Sequence, residues 1–515
     1  MSALFLLLAW LMPNHYSPWL TAHSEIAVFT SFFFLFIGFL LTHKNKKIQV
    51  PTFSIFLFIL ALIPIIQYQI GLIYFFGDAF IVFIYLIVAS LLYIISYNKK
   101  DNKSFEYLAY IFILGSFFSI YISVLQILQL TNGAVWFVDM RPGGRPYGNF
   151  AQPNNYATLI CCGIFSLFYL FELKKINIII SGLLFFILVI GVILAQSRTT
   201  YLVMLFAFIY LGFFTKKHLN LNIKTLSCIA GTYIFCNFIV IYALDILFST
   251  EKKIRHIGQS TERLALWEQL LYAILDKPWL GYGWNQVSVA QVSVSNIKPV
   301  PLYTEHSHNI LIDILIWNGM ILGSIIIIFI LYFIIKKLFL QVDLEKIYGG
   351  LIVIAIGVHG LLEFPLDYAF FLFPLIFLLA QIDNSKIIIK LRVEIFYFLL
   401  FIYFGGFFKL TKEYFYLESI TRQTSLMVAR IGNSQFDLDH NKKYFFTQIF
   451  GQVEFAHVSE NKIYNKNELI DFERIVKRYP TKYNILKYIR ILEFNGLNRD
   501  AGKYIRLLKD LYDRT

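Results

Sequence analysis

The chain has 515 residues, 58% of them hydrophobic and 18% aromatic, with a formal net charge of +13. At a mean hydropathy of +0.64 it carries more apolar surface than a soluble protein of this length can hide, which excludes a soluble globular enzyme. The positive charge falls in short clusters between apolar runs, a topology pattern rather than a nucleic-acid-binding face, so nucleic acid is excluded as a partner. Apolar runs predict spans near residues 3–12, 26–42, 52–66, 78–97, 105–130, 154–173, 177–195, 200–214, 226–249, 307–335, 347–363, 368–382 and 393–410, about 13 crossings. The first run, Ala3 to Met12, lacks a charged lead and a small-residue cleavage site, so it reads as a retained span. The expected architecture is an all-α polytopic membrane protein, with a transmembrane domain over 1–410 and a polar helical domain over 411–515.

Lysine clusters occupy every second loop: Lys44/Lys46/Lys47, Lys99/Lys100/Lys103, Lys174/Lys175, Lys216/Lys217, Lys336/Lys337 and Lys386/Lys390/Arg392. Positive charge marks the cytoplasmic side, which puts the N-terminus inside and the C-terminal domain outside, in the periplasm of a double-membrane bacterium. Arginine behaves differently. Arg141, Arg145, Arg198, Arg255 and Arg263 all fall in outward loops. Any one of them is equally explained by lipid headgroups or loop carboxylates. As a set they point to a phosphate ligand, because the guanidinium is always charged and fits phosphate bidentately.

Two outward loops are long, over about 131–153 and 250–306. The first is irregular, with Gly143, Gly144 and Gly148 allowing close approach to a ligand. The second holds an amphipathic helix from Thr261, with Ser260 or Thr261 as its N-cap, then Pro278-Trp-Leu-Gly-Tyr-Gly-Trp284. In the tail, apolar stripes at Ile485, Ile489 and Leu492 and at Tyr504, Leu508 and Leu511 flank Asn495-Gly496, predicting an antiparallel helix pair of tetratricopeptide-like kind. Such a pair serves either as a packing cap or as a holder of a protein partner.

The strongest pointer to chemistry is His306-Ser307-His308-Asn309, where a polar loop enters an apolar helix, since imidazole exchanges protons near neutral pH. Asn309, Asp313 and Trp317 follow at four-residue spacing, on one helix face. His359 and Glu363 form a second pair four apart. A lone interfacial histidine is more often structural, and His15, His23, His256 and His359 are read that way. His306 and His308 chelate poorly at a spacing of two, no HExxH or CxxC occurs, and no Gly-rich loop carries Lys-Ser/Thr; neither metal nor cofactor is expected. Asp437-Leu-Asp439-His440 reads as a solvated loop. Cys228 and Cys236 would stand ~12 Å apart on one helix, too far to bridge, and Cys161 and Cys162 are adjacent, so the cysteines read as small buried residues.

The order Arg263, Trp267, Pro278 to Trp284, then His306 to Asn309 entering a span resembles the O-antigen ligase and polymerase superfamily, as does Ser197-Arg198-Thr199-Thr200 at an outer span end. Arg145-Pro-Tyr-Gly-Asn-Phe-Ala-Gln152-Pro-Asn154-Asn155 and Phe364-Pro-Leu-Asp-Tyr368 resemble, more narrowly, the PglL-type protein O-oligosaccharyltransferases. The resemblance covers about residues 140 to 380 and implies a GT-C-like fold. It also implies en bloc transfer of a glycan from undecaprenyl pyrophosphate to Ser or Thr of a pilin or other periplasmic protein. His308 would then be the base, or the residue orienting the hydroxyl, with His306 the weaker imidazole. Arg145 and Arg198 would hold the pyrophosphate. Gln152, Asn154, Asn155, Tyr368, Arg263, Trp284 and Asn309 would contact glycan or acceptor. Trp279, Tyr282 and Trp284 would line a sugar or lipid rim, or anchor the interface. The alternatives are ligation to lipid A core and polymerisation of O-antigen. A transporter is disfavoured, because no internal repeat is evident and the polar residues gather on one face.

Overall fold

A computed structural model describes residues 1–214, 219, 223–248, 258–339, 343–385, 389–431 and 442–513. Lys216, Lys217, Arg255, His256, Lys386 and the Asp437–His440 run lie outside the described residues. The helices are, in order, α1 (Ser2–Leu11), α2 (Ala22–Thr42), α3 (Thr52–Gln69), α4 (Phe76–Asn98), α5 (Asn102–Ile127), α6 (Pro153–Glu172), α7 (Ile178–Leu194), α8 (Arg198–Phe214), α9 (Ile223–Phe248), α10 (Gly258–Asp276), α11 (Val287–Val294), α12 (Ile310–Phe339), α13 (Leu344–Gly360), α14 (Ala369–Ile382), α15 (Val393–Val428), α16 (Thr447–His457), α17 (Lys466–Arg478), α18 (Lys482–Phe494) and α19 (Asn498–Tyr512). All thirteen expected spans fall on helices. Seven helices among the described residues are long and apolar enough to cross a membrane. Large apolar side chains stand exposed along α7, α9 and α15, with Phe238 at 79%, the surface of helices that face lipid rather than water. The chain is an all-α polytopic membrane protein.

Three details differ from expectation. With ten residues, α1 is only about 15 Å long, half the thickness of a hydrocarbon core. Helix α10 begins at Gly258, ahead of the expected caps Ser260 and Thr261. Two short strands, β1 (Lys47–Val50) and β2 (Ile389–Arg392), pair antiparallel with Lys47 opposite Arg392. Four-residue strands in polar loops leave too little alternation to be read locally.

The chain forms two compact units. Unit 1 comprises Met1–Ile55, Ala89–Ile254 and Tyr332–Phe404; unit 2 comprises Phe56–Val88, Arg255–Leu331 and Gly405–Thr515. At the centre of unit 1, α6 is almost wholly buried. Small residues let its neighbours close in: a Cβ on Gly163 would lie 2.3 Å from Ser116 Oγ on α5. Four of the lysine-bearing loops of unit 1, those at Lys47, Lys100, Lys337 and Lys390, meet one another. The β1–β2 pair joins two of them, Asn98 brackets Gln49 by donating to its carbonyl and accepting from its amide, and Lys337 pairs with Asp383 at 2.6 Å. These four loops, assigned to one side by lysine counting, therefore share one end of the unit.

Unit 2 contains the tail. Its α18–α19 hairpin turns at Gly496, whose φ of 73° suits a residue without Cβ, and buries Ile485, Ile489, Leu492, Tyr504 and Leu511 in one core. Leu508 packs against that core. A capping box starts α17: Asn465 Oδ1 accepts from Glu468 N and Glu468 Oε2 accepts from Asn465 N. Helix α15 runs unbroken past residue 410 into this region.

Candidate active site

In unit 2, His306 and His308 lie in the loop just ahead of α12 rather than on the helix. Asn309 caps α12, its Oδ1 accepting from Leu311 N at 2.9 Å. Ser307 is buried and held from both sides. Its carbonyl accepts from Trp267 Nε1 at 2.8 Å, and its amide donates to Asp313 Oδ1 at 2.9 Å. The intramembrane acid Asp313 thus serves the loop's backbone. Between these ties His308 takes φ 58°, the left-handed region that non-glycine residues rarely occupy. Upstream, Thr304 N donates to Gln291 Oε1 on α11, and Thr304 Oγ1 accepts from His306 N. Arg263 sits half-buried on α10, one turn before Trp267.

The Pro278–Trp284 segment has a structural task of its own. Helix α12 is broken at Gly319, with φ 73° and ψ 176°. The break frees carbonyls that a regular helix would satisfy. Tyr282 N donates to Ile316 O at 2.7 Å, Gly283 N to Trp317 O at 3.1 Å, and Met320 N to Pro278 O at 2.7 Å. Irregular backbone at membrane depth persists when protein satisfies it in this way. Trp284 stacks on Trp317 at 4.6 Å and donates its indole N–H to Asn318 Oδ1, while Gln67 donates to Trp317 O and accepts from Trp284 N. Of the three expected rim aromatics, Trp279 is exposed, Trp284 half-buried and Tyr282 buried, with its hydroxyl donating to Asp276.

A second polar network in unit 2 was not legible beforehand. Arg478, at the end of α17, donates through Nε and Nη2 to both oxygens of Asp78 at 3.0 and 3.2 Å, and through Nη1 to Glu305 Oε2 at 3.2 Å. Glu305 also accepts from Tyr303 Oη at 2.9 Å. Burial pushes the Glu305 carboxyl up, but Arg478 and His306 outweigh that and hold it below the usual glutamate range.

In unit 1 the Arg145–Asn155 run leads into α6. It is anchored by Gln126, a buried residue sequence reading passed over. Gln126 Oε1 accepts from Tyr147 N and Gly148 N, and its Nε2 donates to Val138 O and Gly148 O, at 2.6–3.1 Å. A glutamine ahead of a loop, late in an apolar run, was the available signal. Arg145 donates to Gln196 O at 3.1 Å, which ties this run to the segment before Arg198. Arg198 itself is exposed at the first turn of α8. Asn154 links two further segments, donating to Glu363 Oε1 at 2.9 Å and accepting from Ser197 Oγ at 2.7 Å. Tyr368, stacked on Phe370, contacts Asn155 through its hydroxyl. The Gln152 and Asn155 side-chain oxygens are buried acceptors with no donor among the described residues. His359 is buried with Nδ1 2.9 Å from Thr158 Oγ1, a packed core position. Glu25, also not anticipated, accepts from Ala369 N at the start of α14. Ala151 and Gln196 share with His308 a left-handed, non-glycine backbone, the kind of strain that gathers at functional sites. No group of three His, Cys, Asp or Glu side chains arranged to hold a metal occurs among the described residues.

Comparison with known proteins agrees with these segments. An O-antigen ligase model matches residues 183–328, which include Arg198, Arg263, Trp284, His306 and His308. A protein glycosylation ligase model matches 146–171, from the residue after Arg145 into α6. The model described as virulence factor membrane-bound polymerase, C-terminal, matches 347–514. The chain is 28% identical over 539 aligned residues to a general O-oligosaccharyltransferase of Acinetobacter baylyi, covering 100% of this chain and 92% of that protein. It is 29% identical over 519 residues to a ComP-specific O-oligosaccharyltransferase of the same organism, covering 98% of this chain and 93% of that protein. With ligase models on both candidate segments and this similarity along its whole length, the chain is a membrane glycosyltransferase similar to the O-antigen ligases and the O-oligosaccharyltransferases.

Proposed function

We propose that this enzyme glycosylates proteins, transferring a glycan en bloc from undecaprenyl pyrophosphate to a Ser or Thr hydroxyl of a pilin-like or other periplasmic acceptor. The observation that carries the reading is His308, whose left-handed backbone is held at the mouth of α12 by the ties on Ser307 and Asn309 that flank it. In the reaction His308 takes the acceptor's hydroxyl proton while that oxygen attacks the anomeric carbon. The bond from that carbon to the phosphate oxygen breaks, and lipid pyrophosphate leaves with the electron pair. Arg145 and Arg198 stabilise the developing charge. Gln152, Asn154, Asn155 and Tyr368 orient glycan or acceptor; the unmatched acceptors on Gln152 and Asn155 suit a hydroxyl-rich ligand. Arg263, Asn309 and Trp284 also contact glycan or acceptor, and His306 plays a lesser part. The enzyme sits in the inner membrane with residues 411–515 as a periplasmic helical domain, tetratricopeptide-like in its pairing.

One relative is general by name and the other specific for ComP, so the acceptor range of this chain is open to test. The test is expression in a host that makes an undecaprenyl-linked glycan, with a co-expressed pilin and mass spectrometry of that pilin. A glycan mass on Ser or Thr, lost with His308→Ala, supports the reading. Unchanged transfer by His308→Ala removes the base assignment. The O-antigen ligase and polymerase matches keep a second reading alive. Glycan on lipid A core, or longer lipid-linked chains, would favour it.

A further inference from the structure

We infer that Glu305, clamped by Arg478, is a positioning residue for the His306–His308 loop, which makes tail helix α17 part of the transfer machinery. This rests on the proposed role of His308. Arg478 is held at every polar atom the structure gives it. Its fork engages both oxygens of Asp78, its remaining nitrogen reaches Glu305, its carbonyl accepts from Ser288 Oγ at 2.7 Å, and its guanidinium lies over the Tyr479 ring. Gln286 adds a 3.4 Å donor to Asp78. Arg478 is 6% exposed and Asp78 2%. Burying such charges loses several kcal/mol of hydration per ion, so an apolar contact would dock the tail at less cost. What the charged triad adds is geometry: a forked pair admits one register, and it sets the position of the one remaining donor.

That donor holds the residue immediately before His306. Glu305 is fixed on one oxygen by Arg478 and on the other by Tyr303. From there the chain has three residues to reach His308, and each amide on the way is tethered or adjacent to a tether: His306 N to Thr304 Oγ1, Ser307 N to Asp313, Asn309 N to Ser307 Oγ. A left-handed residue inside so short a span keeps its conformation only if both ends are pinned. Asp313 and Asn309 pin the α12 end; Glu305 pins the other. His306 stands close enough to Glu305 to help hold its carboxyl down.

The deciding variant is Glu305→Ala in the full-length protein in lipid nanodiscs. It leaves the buried Asp78–Arg478 pair whole, whereas Arg478→Ala strands a buried carboxylate and can misfold for that reason alone. Two readouts are taken: hydrogen exchange over 304–309, and transfer kinetics with the lipid-linked glycan. In Glu305→Ala we expect faster exchange at these amides, kcat lower by roughly ten- to a hundred-fold, and donor KM within about twofold. Glu305→Gln, which keeps hydrogen bonds without charge, recovers part of the lost kcat. Adding Arg478→Lys to Glu305→Ala lowers kcat by no more than about twofold further, since Arg478 acts on the loop through Glu305. Unchanged exchange, unchanged kcat, or losses that multiply in the double variant would overturn the inference. Exchange needs no turnover, so it decides the loop's dependence on Glu305 even if the wild-type chain moves no glycan to protein, an outcome that would sink the proposed function instead.

Discussion

Replacing Gly281 by alanine should uncouple the Pro278–Trp284 segment from the break in α12. Gly281 has φ +68°, and a Cβ there would lie 2.4 Å from Ile316 O, 2.6 Å from Gly319 N and 2.9 Å from Asn318 N. All three are backbone atoms, so no side chain can swing aside. The left-handed conformation alone costs an L-residue about 1–2 kcal/mol. Relieving the overlap means pulling the loop away and giving up the Tyr282 N–Ile316 O and Gly283 N–Trp317 O bonds, each worth about 0.5–1.5 kcal/mol net. The loss is then roughly 2–5 kcal/mol. The control is Gly502→Ala, in the exposed middle of α19 with open space at its Cβ, which should stabilise by about 0.5–1 kcal/mol. The assay is the midpoint of unfolding of detergent-purified protein in a graded SDS series, followed by tryptophan fluorescence, since Trp284 and Trp317 stack at this junction. Equal midpoints for the two variants would refute the claim that this loop braces the broken helix.

Two further outcomes follow from the same geometry. Gln126→Leu keeps the volume but strips four loop bonds, so the 138–148 loop should loosen by about 2–4 kcal/mol and hydrogen exchange at the Tyr147 and Gly148 amides should speed up; an unchanged rate would deny Gln126 its anchoring role. The Glu305 carboxyl is depressed in the folded state, so its tie to Arg478 is fully present above the ordinary glutamate value and is lost as pH falls through the lowered one. Exchange over 304–309 should therefore rise on acidification in the wild type, and Glu305→Ala should show no such step.

Local chemistry made much of the site legible. The motif His306 to Asn309, the Arg145–Asn155 run and the Pro278–Trp284 segment were each visible because they are short polar interruptions in an apolar chain. Their internal roles were less so. Trp284 looked like a rim aromatic, but its indole is used on Asn318 and its ring on Trp317. Asp313 looked like a functional acid in a span and is spent on Ser307 N. The partners of Trp284 lie on another element and nothing in its own neighbourhood names them, while Asp313 reaches back to a loop amide that helical period does not place.

Hydropathy and helical period, summed over neighbours along the chain, were enough to read the membrane class, the positions of the helices, the tail hairpin and the candidate residues. The left-handed turn at His308, the break at Gly319 and the clamp by which Arg478 reaches Asp78 and Glu305 came into view only in three dimensions. Those depend on hydrogen bonds between groups up to 400 positions apart. A backbone strained or opened in this way is stable only while distant partners satisfy it, and local sequence carries no record of which partners those are.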